Sequence, residues 1–266
     1  MILGLLGLSL VLVLAFIAWF LLKYGHRYIG TENRHKFFAE YFKDFPIFHN
    51  AKTGFYKKEL FKPLHEMESS FPELRKEKGI RILEIGAGPG ANMEFYPKNT
   101  KLLVADPNPF FKEQLESVFK KFPEAELERY VVAGAEDMKE IPSQSVDAVV
   151  STLVLCSADG LQKIYKEIQR VLVPGGKFFF MEHVIDTSLS ATKIAQIIFG
   201  SLGIAQFLFD GCRPDKDIKK ELEIGGFASV DARRFRLDLK EGVPLAYSGV
   251  YLIQPHIYGT ATTFKS

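Results

Sequence analysis

Glu84, Gly86, Gly88 and Gly90 close one apolar run of this chain, and Asp106 closes the next. Glycines lacking a Cβ let the backbone turn tightly beneath a bulky ligand. Asp106 follows Gly86 at the offset, about 20 residues, at which an acid on a strand tip meets the two hydroxyls of a ribose. The spacing therefore reads as an adenosine-ribose half-site. Gly86-Ala87-Gly88-Pro89-Gly90-Ala91 also satisfies the dinucleotide form G-x-G-x-x-A, so charge has to separate the candidate cofactors. Glu84 would repel a pyrophosphate and attract the ammonium of a methionine moiety. Pro89 removes one N–H from the loop, which suits a cofactor with no phosphate to cradle. Both features favour S-adenosylmethionine over NAD, with a helix expected after the loop to turn its free N–H groups to the pocket.

Further along, Gly134-Ala135-Glu136-Asp137-Met138 offers an acid and a soft apolar side chain for the edge and face of an adenine. Ser151-Thr152-Leu153 opens a loop at a strand end, and Glu182-His183 ends another strand beside the same mouth. His183 titrates near neutrality and is the best candidate for a general base. His256 is a weaker one, and Asp210 could orient either ring or a substrate. Packing histidines and an Asp-Gly turn are the plainer readings of these three. Cys156 and Cys212 lie far apart in sequence without neighbouring His partners, so no metal is expected.

The elements that must position these residues follow from apolar runs and breaks. Strands are expected at Ile80–Ile85, 102–105, 130–133, 146–150 and 177–181, with a helix at 161–172 and a Pro174-Gly175-Gly176 turn. Two β-like runs, 228–235 and 246–253, would close the sheet as an antiparallel pair. The alternation of strand and helix predicts an α/β fold: a seven-stranded, mostly parallel sheet with helices on both faces and an antiparallel last strand.

The chain has 266 residues, 47% of them apolar, enough for one sizeable core. A net charge of +2 gives no concentrated basic face and no reason to expect nucleic acid. Two cysteines and no N-x-S/T acceptor fit a reducing cytosol. Residues 2–22 carry no ionisable side chain. At about 1.5 Å per residue they reach across a ~30 Å hydrocarbon core. No basic n-region or small-x-small site marks a cleaved signal peptide. Trp19, followed by Lys23, Arg27, Arg34 and Lys36, suits an anchor that keeps the rest cytosolic. A spanning helix and a shallow hairpin around Gly4 and Gly7 both fit, and the hairpin would allow transfer to a lipid droplet.

Phe37, Phe38, Tyr41, Phe42 and Phe45 recur at helical spacing, with Lys36, Glu40 and Lys43 opposite. They either pack on the domain, rest in the headgroup layer or lid the site. The apolar segment 191–209 is interrupted by Lys193, Gln196, Gly200, Gly203 and Gln206, which argues against a second span and for the wall of an apolar pocket. The division expected is 1–23 anchor, 24–78 linker and aromatic helices covering the site, and 79–266 catalytic domain with a roof at 186–212.

GANMEFYP at 90–97, DPNP at 106–109, AEDM at 135–138, TLVLCS at 152–157, RVLVPGG at 170–176, EHV at 182–184, DGC at 210–212 and PHIYG at 255–259 resemble one group. It is the membrane-anchored alkyl-thiol S-methyltransferases of the methyltransferase-like seven group, among the class I (Rossmann-like) methyltransferases. Gly86-Ala87-Gly88 with Pro89 departs from it where relatives tend to have Cys and Thr. The resemblance implies S-adenosylmethionine bound by Glu84, Gly86, Ala87, Gly88, Gly90, Asp106, Pro107, Asn108, Glu136, Asp137, Met138, Ser151, Thr152 and Leu153. It implies methyl transfer to small lipophilic thiols at an endoplasmic reticulum membrane, the catalytic domain cytosolic. The attacking species would be a thiolate, with a free pKa of about 8.5, so a modest base suffices. Methylation of another apolar acceptor at O or N, or a non-catalytic surface scaffold, are the alternatives. An intact cofactor loop speaks against the scaffold.

Overall fold

The apolar strands divide their side chains between two cores. In β1 (Ile80–Ile85) and β2 (Thr100–Ala105), Leu83, Ile85, Leu103 and Ala105 enter one buried cluster, while Ile80, Ile82, Leu102 and Val104 enter another. Successive side chains on a strand point to opposite faces, so a strand apolar at almost every position is covered on both. The computed structural model describes residues 30–265. It adds β3 (Glu126–Val131), β4 (Val146–Thr152), β5 (Leu172–His183), β6 (Ser229–Arg236) and β7 (Pro255–Thr262). The sheet has the order β3-β2-β1-β4-β5-β7-β6. The first five in that order run parallel, and β7 runs antiparallel to both of its neighbours. The expected seven-stranded mixed sheet is present.

The helices are α1 (Thr31–Phe42), α2 (Phe45–His65), α3 (Pro72–Lys76), α4 (Lys112–Phe119), α5 (Leu161–Val171), α6 (Ala191–Ser201), α7 (Ile204–Leu208) and α8 (Ile218–Glu223). Leu161, Ile164, Tyr165, Ile168 and Val171 of α5 are buried at helical spacing and join the cluster that holds Leu83. Leu60, Phe61 and Leu64 of α2 cover the opposite face with Ile82 and Phe179. Both faces are thus protected, as a parallel sheet requires.

Three expectations need correction. The closing strand lies at Pro255–Thr262, and 246–253 falls within a 3-10 segment, Leu245–Ile253. An apolar run looks the same in a strand as in a lid. The glycine loop opens no α-helix. It runs through turns into a short 3-10 stretch, Met93–Phe95, and Pro97 holds Tyr96 extended at φ −80°, ψ 151°. The Pro174 turn lies inside β5 as an outward bulge: β4 pairs Val146 with Leu172 and then Ala148 with Lys177.

The apolar stretch 2–22 lies outside the described residues. Among the described residues no helix is long and apolar enough to cross a membrane. The 191–209 segment is broken into α6 and α7 by Gly203 at φ +75°.

Candidate active site

Outside the carboxyl ends of β1, β2, β4 and β5 lies a cavity of about 570 Å³. This is the switch point of an open α/β sheet, where the connections leaving β1 and β4 run to opposite sides and a crevice opens between them. Gly86 turns the chain at φ +61°, and a Cβ there would come within 2.5 Å of Val154 Cγ2. The loop therefore approaches its opposite wall as only glycine allows. Asp106 is buried at the tip of β2. Its Oδ2 accepts the Gly88 N–H at 3.0 Å and its Oδ1 the Asn108 N–H at 2.9 Å. Burial pushes its carboxyl up to about 6, against the pull of those two N–H groups. A fixed carboxylate on the cavity wall beside Gly86, Ala87, Gly88, Pro107 and Asn108 is the acceptor a ribose needs.

Glu84 does not line the cavity. Strand parity sends it to the face of Ile82, beneath α2, where Oε1 accepts the Asn92 amide at 2.6 Å. Burial raises its carboxyl to about 7, although the Tyr96 hydroxyl and the Asn92 amide pull the other way. The Asn92 amide also reaches Thr152 Oγ1 at 3.0 Å, so Glu84 ties the glycine loop to the end of β4. Its other oxygen, Oε2, is buried without a hydrogen-bond partner.

Gly134, Ala135 and Glu136 line the cavity. Met138 belongs to the core under α5, and Asp137 pairs with Lys139 at the surface, so neither lines the cavity. Thr152 and Leu153 line it, whereas Ser151 lies behind and donates to Glu182 Oε1 at 2.9 Å. That same oxygen accepts the N–H groups of Val154 and Leu155 at 3.1 and 3.2 Å. Glu182, which parity again turns inward, is thereby the internal support of the loop after β4.

At the far end of the cavity the fold joins three residues that sequence distance kept apart. The ligand atoms of Cys156, His183 and Cys212 all lie within 4.8 Å of one another, with His183 Nε2 3.2 Å from Cys212 Sγ. The absence of a His partner inferred from spacing does not hold in three dimensions. A hydrogen bond from Cys212, against the cost of burial, draws Cys156 well below the ordinary thiol range. Burial disfavours charge on His183, but the facing Cys156 sulfur outweighs it and holds the ring above its usual value. His256 pairs with His183 across β5 and β7 but does not line the cavity, and burial lowers it to about 3. Asp210, at φ +45°, lines the cavity and pairs with Arg34 Nε at 3.2 Å.

The lid consists of Phe38, Tyr41 and Phe42 of α1, Phe45 of α2, Phe209 of the roof and Tyr247 of the 3-10 segment. Tyr247 stands edge-on to Phe45 at 5.5 Å and to Tyr41 at 6.5 Å. The Asn108 amide bonds the His35 carbonyl at 2.9 Å, fixing α1 over the cofactor end. The aromatic side chains of α1 thus line the cavity. Arg34, Lys57 and Tyr247 line the cavity without having been singled out as site residues. Tyr247 could have been found had its run been read as a lid, but no local pattern marks Lys57.

A glycine loop over a buried acid, at the switch point of a seven-stranded sheet with β7 reversed, defines a class I, S-adenosylmethionine-dependent methyltransferase. Residues 83–180 match the family model described as "Methyltransferase domain". A SAM-dependent methyltransferase structure from Methanosarcina mazei superposes with a TM-score of 0.53 at 15% identity, over 74% of this chain and 100% of the other. The YcgJ protein of Bacillus subtilis gives 0.53 at 13% identity, over 79% and 99%. The chain is 34% identical to human thiol S-methyltransferase TMT1A over 85% of its length and 86% of the relative's. It is also 34% identical to human thiol S-methyltransferase TMT1B, over 80% of each. The chain belongs to this thiol S-methyltransferase family.

Proposed function

We propose that this enzyme methylates the sulfur of small lipophilic thiols. One observation carries the reading: the cavity that begins at Asp106 runs beneath an aromatic lid and ends against His183 and two cysteines. S-adenosylmethionine supplies a methyl already activated on a sulfonium. The protein's part is to align the acceptor, exclude water and take up one proton, and such alignment can contribute about 7 to 11 kcal/mol. The aromatic lid holds an alkyl chain and keeps water out. His183 and the Cys156 sulfur hold one proton between them; the pair takes the substrate proton onto that sulfur and leaves the ring protonated beside it, and the substrate thiolate's lone pair forms the new S–C bond as the sulfonium C–S bond breaks. Incubating the detergent-solubilised protein with labelled cofactor and a panel of thiols, phenols and amines tests this. Alkyl thiols should take most of the label, and a clear preference for a phenol or an amine overturns the assignment.

Membrane attachment belongs to the same proposal, with 1–23 as anchor, 24–78 as linker and cover, and 79–266 as catalytic domain on the cytosolic face of the endoplasmic reticulum or on lipid droplets. The charge-free run 2–22 supports it, as do Ile194, Ile197 and Ile198, which α6 leaves about half exposed at 52%, 44% and 48%. Deleting residues 1–22 should free the protein from membranes in a carbonate wash. Retention in the pellet would mean that the roof or the aromatic helix binds lipid by itself.

A further inference from the structure

We propose that Lys57 binds the carboxylate of the methionine moiety of S-adenosylmethionine, and that this contact, in place of one from Glu84, positions the amino-acid end of the cofactor. Lys57 lies within α2 and is 1% exposed, yet it lines the cavity. A buried ammonium is costly without an anion. Here Nζ donates to two neutral oxygens, Asn50 Oδ1 at 2.7 Å and the Ala91 carbonyl at 3.3 Å. Three donors are available on an ammonium, and beyond these two oxygens Nζ faces only the Phe95 ring, 5.4 Å from its centroid, so one donor has no oxygen acceptor. Among the described residues Lys57 forms no ion pair. The two nearby acids act on it only at a distance: Glu94 takes the Asn50 amide at 2.8 Å, and Glu84 takes Asn92 on Oε1 while its Oε2 is buried without a hydrogen-bond partner.

The order of contacts along the loop supplies the direction. Gly88 bonds the ribose acid Asp106, and three residues on, Ala91 meets Lys57. The cofactor has the same order, ribose, then sulfonium, then amino acid, and its one anionic group lies at the far end. A cation at Ala91 is therefore where a carboxylate would arrive if the ribose is held at Asp106. Burial lowers Lys57 to about 8, against the pull of the Glu84 and Glu94 carboxylates.

The test compares two ligands that share the adenosine but differ in the amino acid: S-adenosylhomocysteine and 5′-deoxy-5′-methylthioadenosine. Calorimetric titration of the full chain in detergent should show Lys57→Met weakening the first roughly ten- to a hundredfold, as for loss of a charged hydrogen bond. The second should change less than about twofold, and Lys57→Arg should recover much of the loss. Equal weakening of both ligands would make Lys57 a tether of the loop, and unchanged affinity for both would remove it from the site. Either result overturns the proposal. Failure of the wild type to bind either ligand would instead strike at the cofactor site itself.

Should Lys57→Met not fold, wild type and Lys57→Arg decide the matter. Wild-type affinity for S-adenosylhomocysteine should fall above pH about 8, as the free lysine loses its proton. That fall should be absent near pH 8 in Lys57→Arg, whose guanidinium does not titrate there. Identical pH profiles for the two proteins overturn the proposal.

Discussion

The two ends of the cavity are made differently. The cofactor end is built from β1, β2 and the turns that follow them, largely from backbone groups: the Gly88 and Asn108 N–H groups fix Asp106 within a stretch of continuous chain. The acceptor end draws on α1, the loop after β4, the tip of β5, the roof and the 3-10 segment. One is a local motif, the other a meeting of distant segments. The contrast teaches that cofactor chemistry is tied to a strand-turn-strand unit, whereas acceptor choice depends on how loosely connected pieces pack.

The comparison can be broken most severely at the acceptor end. His183→Ala should lower kcat/KM for an alkyl thiol by roughly 10² to 10⁴ at neutral pH and leave cofactor affinity unchanged. The loss should shrink toward and beyond pH of about 8.5, where solution supplies the thiolate. A mutant as active as wild type at pH 7 removes His183 from the mechanism. His256, buried and far below its ordinary pKa, would not replace it.

At the cofactor end Asp106→Ala should weaken cofactor binding ten- to a hundredfold without unfolding the domain, measured by calorimetry on the folded mutant. Because Asp106 is raised to about 6, wild-type affinity should fall as pH drops through that value and the carboxylate is protonated. Above it the charge is present and affinity should level off. Asp106→Asn should flatten this dependence. An unaltered profile would detach Asp106 from the ribose.

A smaller effect should separate the lid from the loop. Tyr247→Ala removes a ring packed against Phe45, Phe48 and Tyr41, and about 1 to 2 kcal/mol of contact with an apolar substrate. KM should rise roughly five- to thirtyfold for long-chain thiols and little for short ones, with cofactor affinity untouched. The smallest change is expected from Arg34→Ala, which frees Asp210 from an ion pair whose side chains are 31% and 20% exposed. Such pairs contribute about 0 to 1 kcal/mol. KM should shift by less than about fivefold, and a larger loss would give Arg34 a direct role with substrate.

The sequence alone determined the glycine loop, Asp106 at its strand tip, the presence of the first five strands along the chain and the helix that forms α5. These depend on short-range rules: strand parity, helical spacing and the steric freedom of glycine act within a few residues. For the same reason the family was legible in short motifs. Tertiary structure decided where side chains at the ends of those elements point. Glu84 and Glu182 read as mouth residues, but strand alternation and the helices packed above turned both inward to hold loops. Met138 went to the core because α5 covers it. The closing strand expected at 246–253 formed instead at Pro255–Thr262, and Leu245–Ile253 became part of the lid, since an apolar run acquires its identity from the surface it meets. The meeting of Cys156 with His183 and Cys212, and of Lys57 with Ala91, arises from contacts between segments remote in sequence, which no local spacing encodes.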